Sequence, residues 1–379
     1  MSYKYHEQGC PASCLLVIFG VSFLLTQEVC NASVVSVFHQ SDGSKPLRNF
    51  VYDSNSRKLY VGGSNVIYKL SGNLQQDAAV MLGPHRDVVD CADTSSLSPS
   101  CTLASETSNS DSQALVLDID GEVLIACGTL YYGSCAKINI AEFSTVEYIY
   151  RPVVPNDGSK SAVVLIARGF TGSNLLYVGA AYSTKGDDTL RSKVGLFSVR
   201  NLETFEIASV ETSSKSFIEM LPAFQDNYAM QFIRAYHFSS YVYFFLRRPM
   251  SLASGEITSH VLRICTSDRH MRSLVELRLQ CSVNNVVYSY LRDVTLIDLD
   301  PPLQMQDGSS VTGHTFVGIF TSTAEDVGNS AVCLYQITGQ SSVEVGFQSV
   351  IQNCFSGSGT KGPEYIAAEE SCTGTVSFF

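Results

Sequence analysis

The chain reads as a large all-β unit, on three observations. It carries only 16% charged residues where about 25% is usual, alongside many Ser, Thr, Val and Tyr. Short apolar strands are separated by turn residues throughout. A strand containing or ending in glycine recurs, as Leu59-Tyr60-Val61-Gly62-Gly63, Leu124-Ile125-Ala126-Cys127-Gly128, Leu176-Tyr177-Val178-Gly179-Ala180 and, more loosely, Phe316-Val317-Gly318-Ile319-Phe320. The first three begin 65 and 52 residues apart, somewhat above the ~40 to 50 of common propeller blades, which suggests repeated four-stranded sheets with insertions. Glycine after a strand is also an ordinary turn residue, so the pattern alone leaves the propeller open beside other all-β arrangements.

At the N-terminus a polar start with a single Lys4 precedes the apolar run Cys14 to Leu25 and the small residues around Cys30-Asn31-Ala32. This is the pattern of a signal peptide, assigned to residues 1–32, with the mature domain over 33–379. A buried N-terminal strand or helix is the alternative. This run of twelve residues, apolar but for Gly20 and Ser22, falls short of the roughly 20 that cross a bilayer, and no later run free of glycine exceeds six, so no membrane span is expected. The sequon Asn31-Ala32-Ser33 sits at the cleavage point, where processing after Ala32 would remove its asparagine.

Along the mature chain, Val66 to Leu70, Ala162 to Ala167, Val194 to Val199, Tyr241 to Leu246, Val261 to Cys265 and Ala331 to Ile337 read as strands. Asp53-Ser54-Asn55-Ser56, Asn156-Asp157-Gly158 and Lys185-Gly186-Asp187 read as turns. Ala92 to Asp111 and Ser183 to Ser192 are polar and read as surface loops. The stretch from Pro301 to Gly313 is the best linker candidate, though a long blade insertion explains it equally well. The length allows one large unit or two or three smaller domains.

A net charge of −11 and a pI near 5.1 argue against nucleic acid and anionic membranes as partners. Catalytic motifs are also wanting. His85-Arg86-Asp87 copies the start of a kinase catalytic loop, but position 92, where the metal-binding Asn belongs, is alanine. Gly357 to Gly362 lacks phosphate-loop spacing and reads as a flexible hairpin between two cysteines. No Ser or Cys lies in a GxSxG elbow.

The histidines His39, His85, His237, His260, His270 and His314 form no metal-binding pair, and each reads as an ordinary surface or core residue. The carboxylate pairs Asp118/Asp120, Asp298/Asp300 and Glu369/Glu370 are the candidates for a glycosidase. The first alternates with Leu117 and Ile119 as one solvated strand face would. No catalytic residue, cofactor site or metal site is assigned, and the chain is expected not to be an enzyme.

Nine cysteines follow the first thirty residues, an odd number for a secreted chain. Their spacings are wider than zinc knuckles require, which favours disulfides.

The segment Leu124 to Cys135, LIACGTLYYGSC, is similar to the LLACGSLYQGxC segment of plexin Sema domains. Leu47 to Gln75 resembles their first blade, and Leu82-Gly83-Pro84 through Cys91 to Cys101 resembles their TGPxxDxxxC turn. Val261 to Cys265 with Asp268, Val275-Glu276-Leu277 and Cys281 is similar to KIVRLCxxD and SYVELPLxC. Ser330 to Tyr335 resembles SALCxF, and Gln352 to Phe355 with Gly357 and Gly359 resembles QSCYxGxG. Ser216 to Asp226 and Tyr243 to Leu246 resemble the hepatocyte growth factor receptor group equally well, which leaves the branch open.

The resemblance implies a seven-bladed β-propeller, the Sema domain, C-terminally incomplete in this chain. It implies the bridges Cys91–Cys101, Cys127–Cys135, Cys281–Cys333 and Cys354–Cys372, and leaves Cys265 unpaired. It further implies an extracellular recognition module of a plexin-like receptor, reached through the secretory pathway and secreted or at the cell surface, with a semaphorin or related extracellular protein as ligand and a homodimer or co-receptor as further partners. The alternatives are a growth-factor-receptor-like Sema domain, a secreted decoy and, last, a secreted propeller glycosidase. The turns around Asn156 to Ser161 and Ser183 to Arg191 are the candidate contact loops, with ordinary variable surface as the alternative for each residue in them.

Overall fold

Each glycine-bearing segment is the second strand of an antiparallel meander in the computed structural model. The described residues are 36–40, 46–87, 107–144, 146–186, 192–211, 214–226, 228–305, 308, 310–326, 328–357 and 363–366. Contacts divide the chain into two compact units, Met1–Val37 and Phe38–Phe379. The expected signal segment lies outside the described residues, and the named strands lie in the second unit.

Its first sheet is β1 (Leu47–Asp53), β2 (Lys58–Gly63), β3 (Val66–Leu70) and β4 (Gln76–Met81), in that order. A short hairpin follows, β5 (His85–Arg86) with β6 (Thr107–Ser108). The second sheet is β7 (Ser112–Asp118), β8 (Val123–Gly128), β9 (Cys135–Asn139) and β10 (Val146–Ile149).

The third sheet joins β11 (Ala162–Arg168), β12 (Asn174–Ala180), β13 (Phe197–Asn201) and β16 (Phe217–Ile218), with the hairpin β14 (Val210–Glu211) and β15 (Ser214–Lys215) inserted before its last strand. The fourth is β17 (Gln231–Phe238), β18 (Tyr241–Pro249), β19 (Ile257–Cys265) and β20 (Val275–Leu279), followed by the hairpin β21 (Cys281–Val283) and β22 (Val286–Tyr288). The fifth has three strands, β23 (Tyr290–Gln304), β24 (Ser310–Thr321) and β25 (Ser330–Gln336).

These sheets are propeller blades. The first strands pack side by side in chain order, β1 on β7, β7 on β11, β11 on β17 and β17 on β23. Apolar clusters fill each gap between consecutive blades. On β12, Leu176 and Val178 face the second blade while Leu175 and Tyr177 face the fourth. On β18, Phe244 and Leu246 face the third blade while Tyr243 and Phe245 face the fifth. A strand buried on both faces has no reason to alternate with polar residues, which explains runs such as Tyr241 to Leu246. Five blades occur among the described residues, where the resemblance implies seven for a whole ring.

The recurring glycine has a packing cause. A Cβ on Gly179 would lie 2.6 Å from a ring carbon of Phe232, on the next blade's first strand, and 3.0 Å from Phe244. We expect Gly179→Val to cost about 1–3 kcal/mol through overpacking, read as a lower urea midpoint at unchanged slope. An unchanged midpoint would show that the blades do not meet there. The fourth blade lacks the motif because Phe244 and Phe245 occupy its second strand and fill the gaps themselves.

Three expectations need correction. Pro301 to Gly313 is no linker but the tip of the long β23–β24 hairpin, in which Leu303 pairs with Val311. Val194 and Gly195 precede β13 instead of joining it, because Gly195 takes a φ of +72°. Asp118 ends β7, but Asp120 lies in the following turn, where its Oδ2 accepts a hydrogen bond from Asn174 of the next blade at 3.0 Å. The glycine-rich stretch near Gly357 lies mostly outside the described residues, as does most of Ala92 to Asp111.

The helix Val343–Phe355 follows the fifth blade and packs against β20. The side chain of Ser342 caps it by accepting from the Val345 N–H at 3.3 Å. Glu344 in its first turn pairs with Arg263 and accepts a hydrogen bond from the Tyr243 hydroxyl at 2.6 Å. Val343 and Phe347 enter the core between the fourth and fifth blades.

Candidate functional site

The β8–β9 turn has an unusual backbone. Tyr131, Tyr132 and Gly133 take successive φ values of 50°, 65° and 80°, a left-handed run that costs strain at the two tyrosines. At Gly133 a Cβ would sit 1.7 Å from the Val154 carbonyl oxygen, so only glycine fits. Its own carbonyl accepts from the N–H groups of Val153 and Val154 at 3.0 Å each. The Cys127–Cys135 disulfide closes the turn across a registered pair of β8 and β9. The sequence YYG thus ties the β8–β9 turn to the β10–β11 connection.

That connection contains the first expected contact loop, and the fold brings it to the second. Asn156 Oδ1 accepts from the Ser183 hydroxyl at 3.1 Å, and Asn156 Nδ2 donates to the Lys185 carbonyl at 3.3 Å. Lys185 in turn reaches Asp157 at 3.1 Å. Burial opposes charge on Asp157, but hydrogen bonds from Ser159 and the Lys185 ammonium outweigh it and hold the carboxyl below its ordinary range. Residues 187–191 of the second loop lie outside the described residues. A cavity of about 360 Å³ opens among these loops, lined by Tyr132, Asn156, Tyr182, Met220 and Pro222 among others.

Beside it stands a group of aromatic rings that no sequence periodicity marks. Tyr131 meets Tyr150 at 5.0 Å and Tyr148 at 5.3 Å, both edge-on, with His85 stacked 6.3 Å from Tyr131. Asp87 accepts the Tyr131 backbone N–H at 3.1 Å, and the Tyr148 hydroxyl donates to the Leu82 carbonyl at 2.7 Å. Burial, and behind it the neighbouring Tyr150 and Asp87, pushes the Tyr131 hydroxyl up to about 12. Tyr150 is 38% exposed. Rings held this way offer large contact area at little further entropic cost, as protein interfaces require.

The remaining assigned cysteines are distributed over the fold. Cys281 on β21 is bonded to Cys333 on β25, clasping the fourth blade's exit to the fifth blade. Cys354 is disulfide-bonded, and Cys372 lies outside the described residues, as do Cys91 and Cys101. Cys265 is free and half-buried, its sulfur 3.1 Å from the Ser267 hydroxyl. We expect alkylation of the unreduced chain to label Cys265 and to leave Cys127, Cys135, Cys281, Cys333 and Cys354 unlabelled, read by peptide mass mapping. A Cys265 peptide found in a bridge contradicts this.

The histidine and carboxylate candidates do not converge. His260 is buried in the fourth blade, 3.3 Å from Glu276, and burial holds its imidazole down to about 4. Asp298 and His314 face each other across β23 and β24 at 3.8 Å on an exposed edge. Glu369 and Glu370 lie outside the described residues. Among the described residues no cluster of metal ligands occurs.

Compared with known proteins, the chain matches no family model. It is 28% identical to human plexin-B1 over 243 residues, covering 62% of this chain and 11% of that protein. Against human plexin-A2 the identity is 24% over 377 residues, covering 92% of this chain and 19% of that protein. The solved full extracellular region of plexin A4 superposes with a TM-score of 0.72 at 20% identity, over 88% of this chain and 38% of that one. The fold is that of a plexin Sema domain. A chain of the solved complex of Drosophila Plexin A with Semaphorin 1b also matches, with a TM-score of 0.51 at 16% identity over 84% of this chain and 56% of that one. The chain therefore spans a fifth or less of these two human plexins' length. No helix among the described residues of this plexin-like domain is long and apolar enough to cross a membrane.

Proposed function

We propose that this plexin-like Sema domain, over residues 33–379 after a signal segment 1–32, is the ligand-recognition part of a receptor acting outside the cell, and that it binds a semaphorin without catalysing a reaction. The observation that carries this reading is the joined loop face of the second and third blades. There the β8–β9 turn, the Asn156 loop and the Ser183 loop are locked together beside a partly exposed tyrosine group. Likeness to plexins supports the class of partner, since one of the matched structures is a plexin in complex with a semaphorin. A stable interface needs roughly 800 Å² per side, and several loops must contribute together to reach that size.

The test exposes the purified chain in parallel to an array of semaphorin ectodomains and to a panel of chromogenic glycosides. Saturable binding to at least one ectodomain with no glycoside turnover is expected. Turnover without ectodomain binding would overturn the reading in favour of a propeller hydrolase.

A further inference from the structure

A second cavity, of about 550 Å³, lies between the end of β10 and the outer edge of the third blade. Its wall carries four cations, Arg151, Lys193, Arg200 and Lys215, against two carboxylates, Glu206 and Glu219. One carboxylate is already engaged, since Glu206 pairs with Arg151 at 2.6 Å. The surplus is positive in a chain whose net charge is −11.

Arg200 is the telling residue. It is only 3% exposed, and its guanidinium donates to four neutral oxygens: the Ser198 hydroxyl and the carbonyls of Phe205, Lys193 and Val194. Among the described residues no carboxylate pairs with it. A buried charge with no counter-ion is costly, and with four of its five N–H groups engaged Arg200 keeps one on Nη1. Burial, and then the like charge of Arg151, pull its guanidinium below the ordinary arginine range, and an incoming anion would act in the opposite direction. Apart from Ser192, the rest of the wall is apolar and aromatic, with Tyr150, Phe205, Ile207, Val210 and Phe217 among it. Val210, on the short hairpin at the rim, is 67% exposed.

We infer that this cavity receives an acidic segment of a protein partner, a carboxylate side chain entering toward Arg200, Lys193 and Lys215 with an adjoining apolar residue against Tyr150 and Phe217. The apolar wall favours a peptide over a sulfated glycan, which has no aliphatic or aromatic side chain to bury beside its charge. This deepens the receptor reading and rests on it in one respect, that this side of the domain meets a protein. Tyr150 belongs to both the aromatic group and this cavity, so the two are continuous.

Fluorescence polarisation on the full chain tests it with three probes: a labelled peptide carrying two glutamates beside phenylalanine and leucine, the same peptide with glutamines in place of the glutamates, and a heparin-derived hexasaccharide. The glutamate peptide should bind at least about tenfold tighter than the glutamine peptide, and its binding should weaken with added salt. The exposed pair Lys193→Ala/Lys215→Ala should lose at least about tenfold in affinity for it while keeping the thermal midpoint. Equal affinity for the two peptides, undiminished binding by the double variant, or capture of the hexasaccharide alone would each overturn the inference. Semaphorin binding that survives Lys193→Ala/Lys215→Ala removes this cavity from the interface and leaves the receptor reading standing. Tight glutamate-peptide binding without any semaphorin binding leaves the cavity and removes that reading.

Discussion

The chain lacking the Cys281–Cys333 bridge, made as Cys281→Ala/Cys333→Ala, should lose about 4 kcal/mol of stability, the chain-entropy value for a cross-link spanning a separation of 52 residues. The position explains why the loss should be felt. Cys281 is fully buried where the chain leaves the fourth blade, and Cys333 sits on the edge strand of a fifth blade that has only three strands. Without the bridge, β25 keeps its ladder to β24 but loses its covalent tie to the neighbouring blade. Urea unfolding of oxidised wild type and variant measures the difference, and a loss below about 1 kcal/mol would show that the unfolded chain gains little freedom from the cut.

The second large effect concerns a buried ion pair in the fourth blade. Arg248 grips Glu276 with two hydrogen bonds of 2.9 and 2.7 Å, and both side chains are less than a tenth exposed. Tyr365 donates to the same carboxylate at 3.0 Å, and the Tyr228 hydroxyl accepts from Arg248 at 2.7 Å. Burial alone would raise the Glu276 carboxyl. The surrounding positive charge and hydrogen bonds, Arg248 chief among those present at neutral pH, reverse it and hold the carboxyl below its usual range. Arg248→Met should therefore cost about 3–5 kcal/mol, because it strands a buried carboxylate.

The depressed carboxyl also sets the pH window. The pair's contribution is complete above the unfolded glutamate value of about 4.3 and is lost as pH falls through the lower folded value. Adding Glu276→Gln to Arg248→Met should restore a large part of the loss, since the uncompensated charge is then gone. A single variant within about 1 kcal/mol of wild type would contradict the account. Hydrogen exchange should locate the damage at Leu221, whose N–H donates to the Tyr365 carbonyl at 2.9 Å and so pins the segment Pro363 to Ile366 on the blades.

How much of this was legible in the sequence follows from how local each cause is. The glycine strands were readable because Gly62, Gly128, Gly179 and Gly318 stand where neighbouring side chains approach the backbone, a constraint repeated blade after blade. The fourth blade broke the repeat with Phe244 and Phe245, yet its two-sided burial still showed as an unbroken apolar run. Short elements escaped. β14, β15 and β16 have two residues each, too few for any period.

The site was legible only as two polar turns. That Asn156 and Ser183 meet, 27 residues apart, depends on the pairing of β11 with β12, which puts Ala162 opposite Ala180. The tyrosine group depends on a left-handed backbone at Tyr131 and Tyr132 that neither residue type favours. Nothing in the sequence marks Arg200, since three of its four acceptors are carbonyls of Lys193, Val194 and Phe205 outside its strand, and no pattern shows a carbonyl as turned inward. Arg248 and Glu276 are 28 residues apart on strands that do not pair directly, which no pattern within either strand reveals.

Surface plasmon resonance of the chain and of its Tyr150→Ala variant over immobilised semaphorin ectodomains bears most directly on the central claim, that the loop face of the second and third blades recognises a semaphorin. The account predicts saturable binding to at least one ectodomain and a loss of at least about tenfold on removing the Tyr150 ring, as for a buried interface anchor. Absence of binding across the whole array by a folded chain, or binding that Tyr150→Ala leaves unchanged, would contradict it.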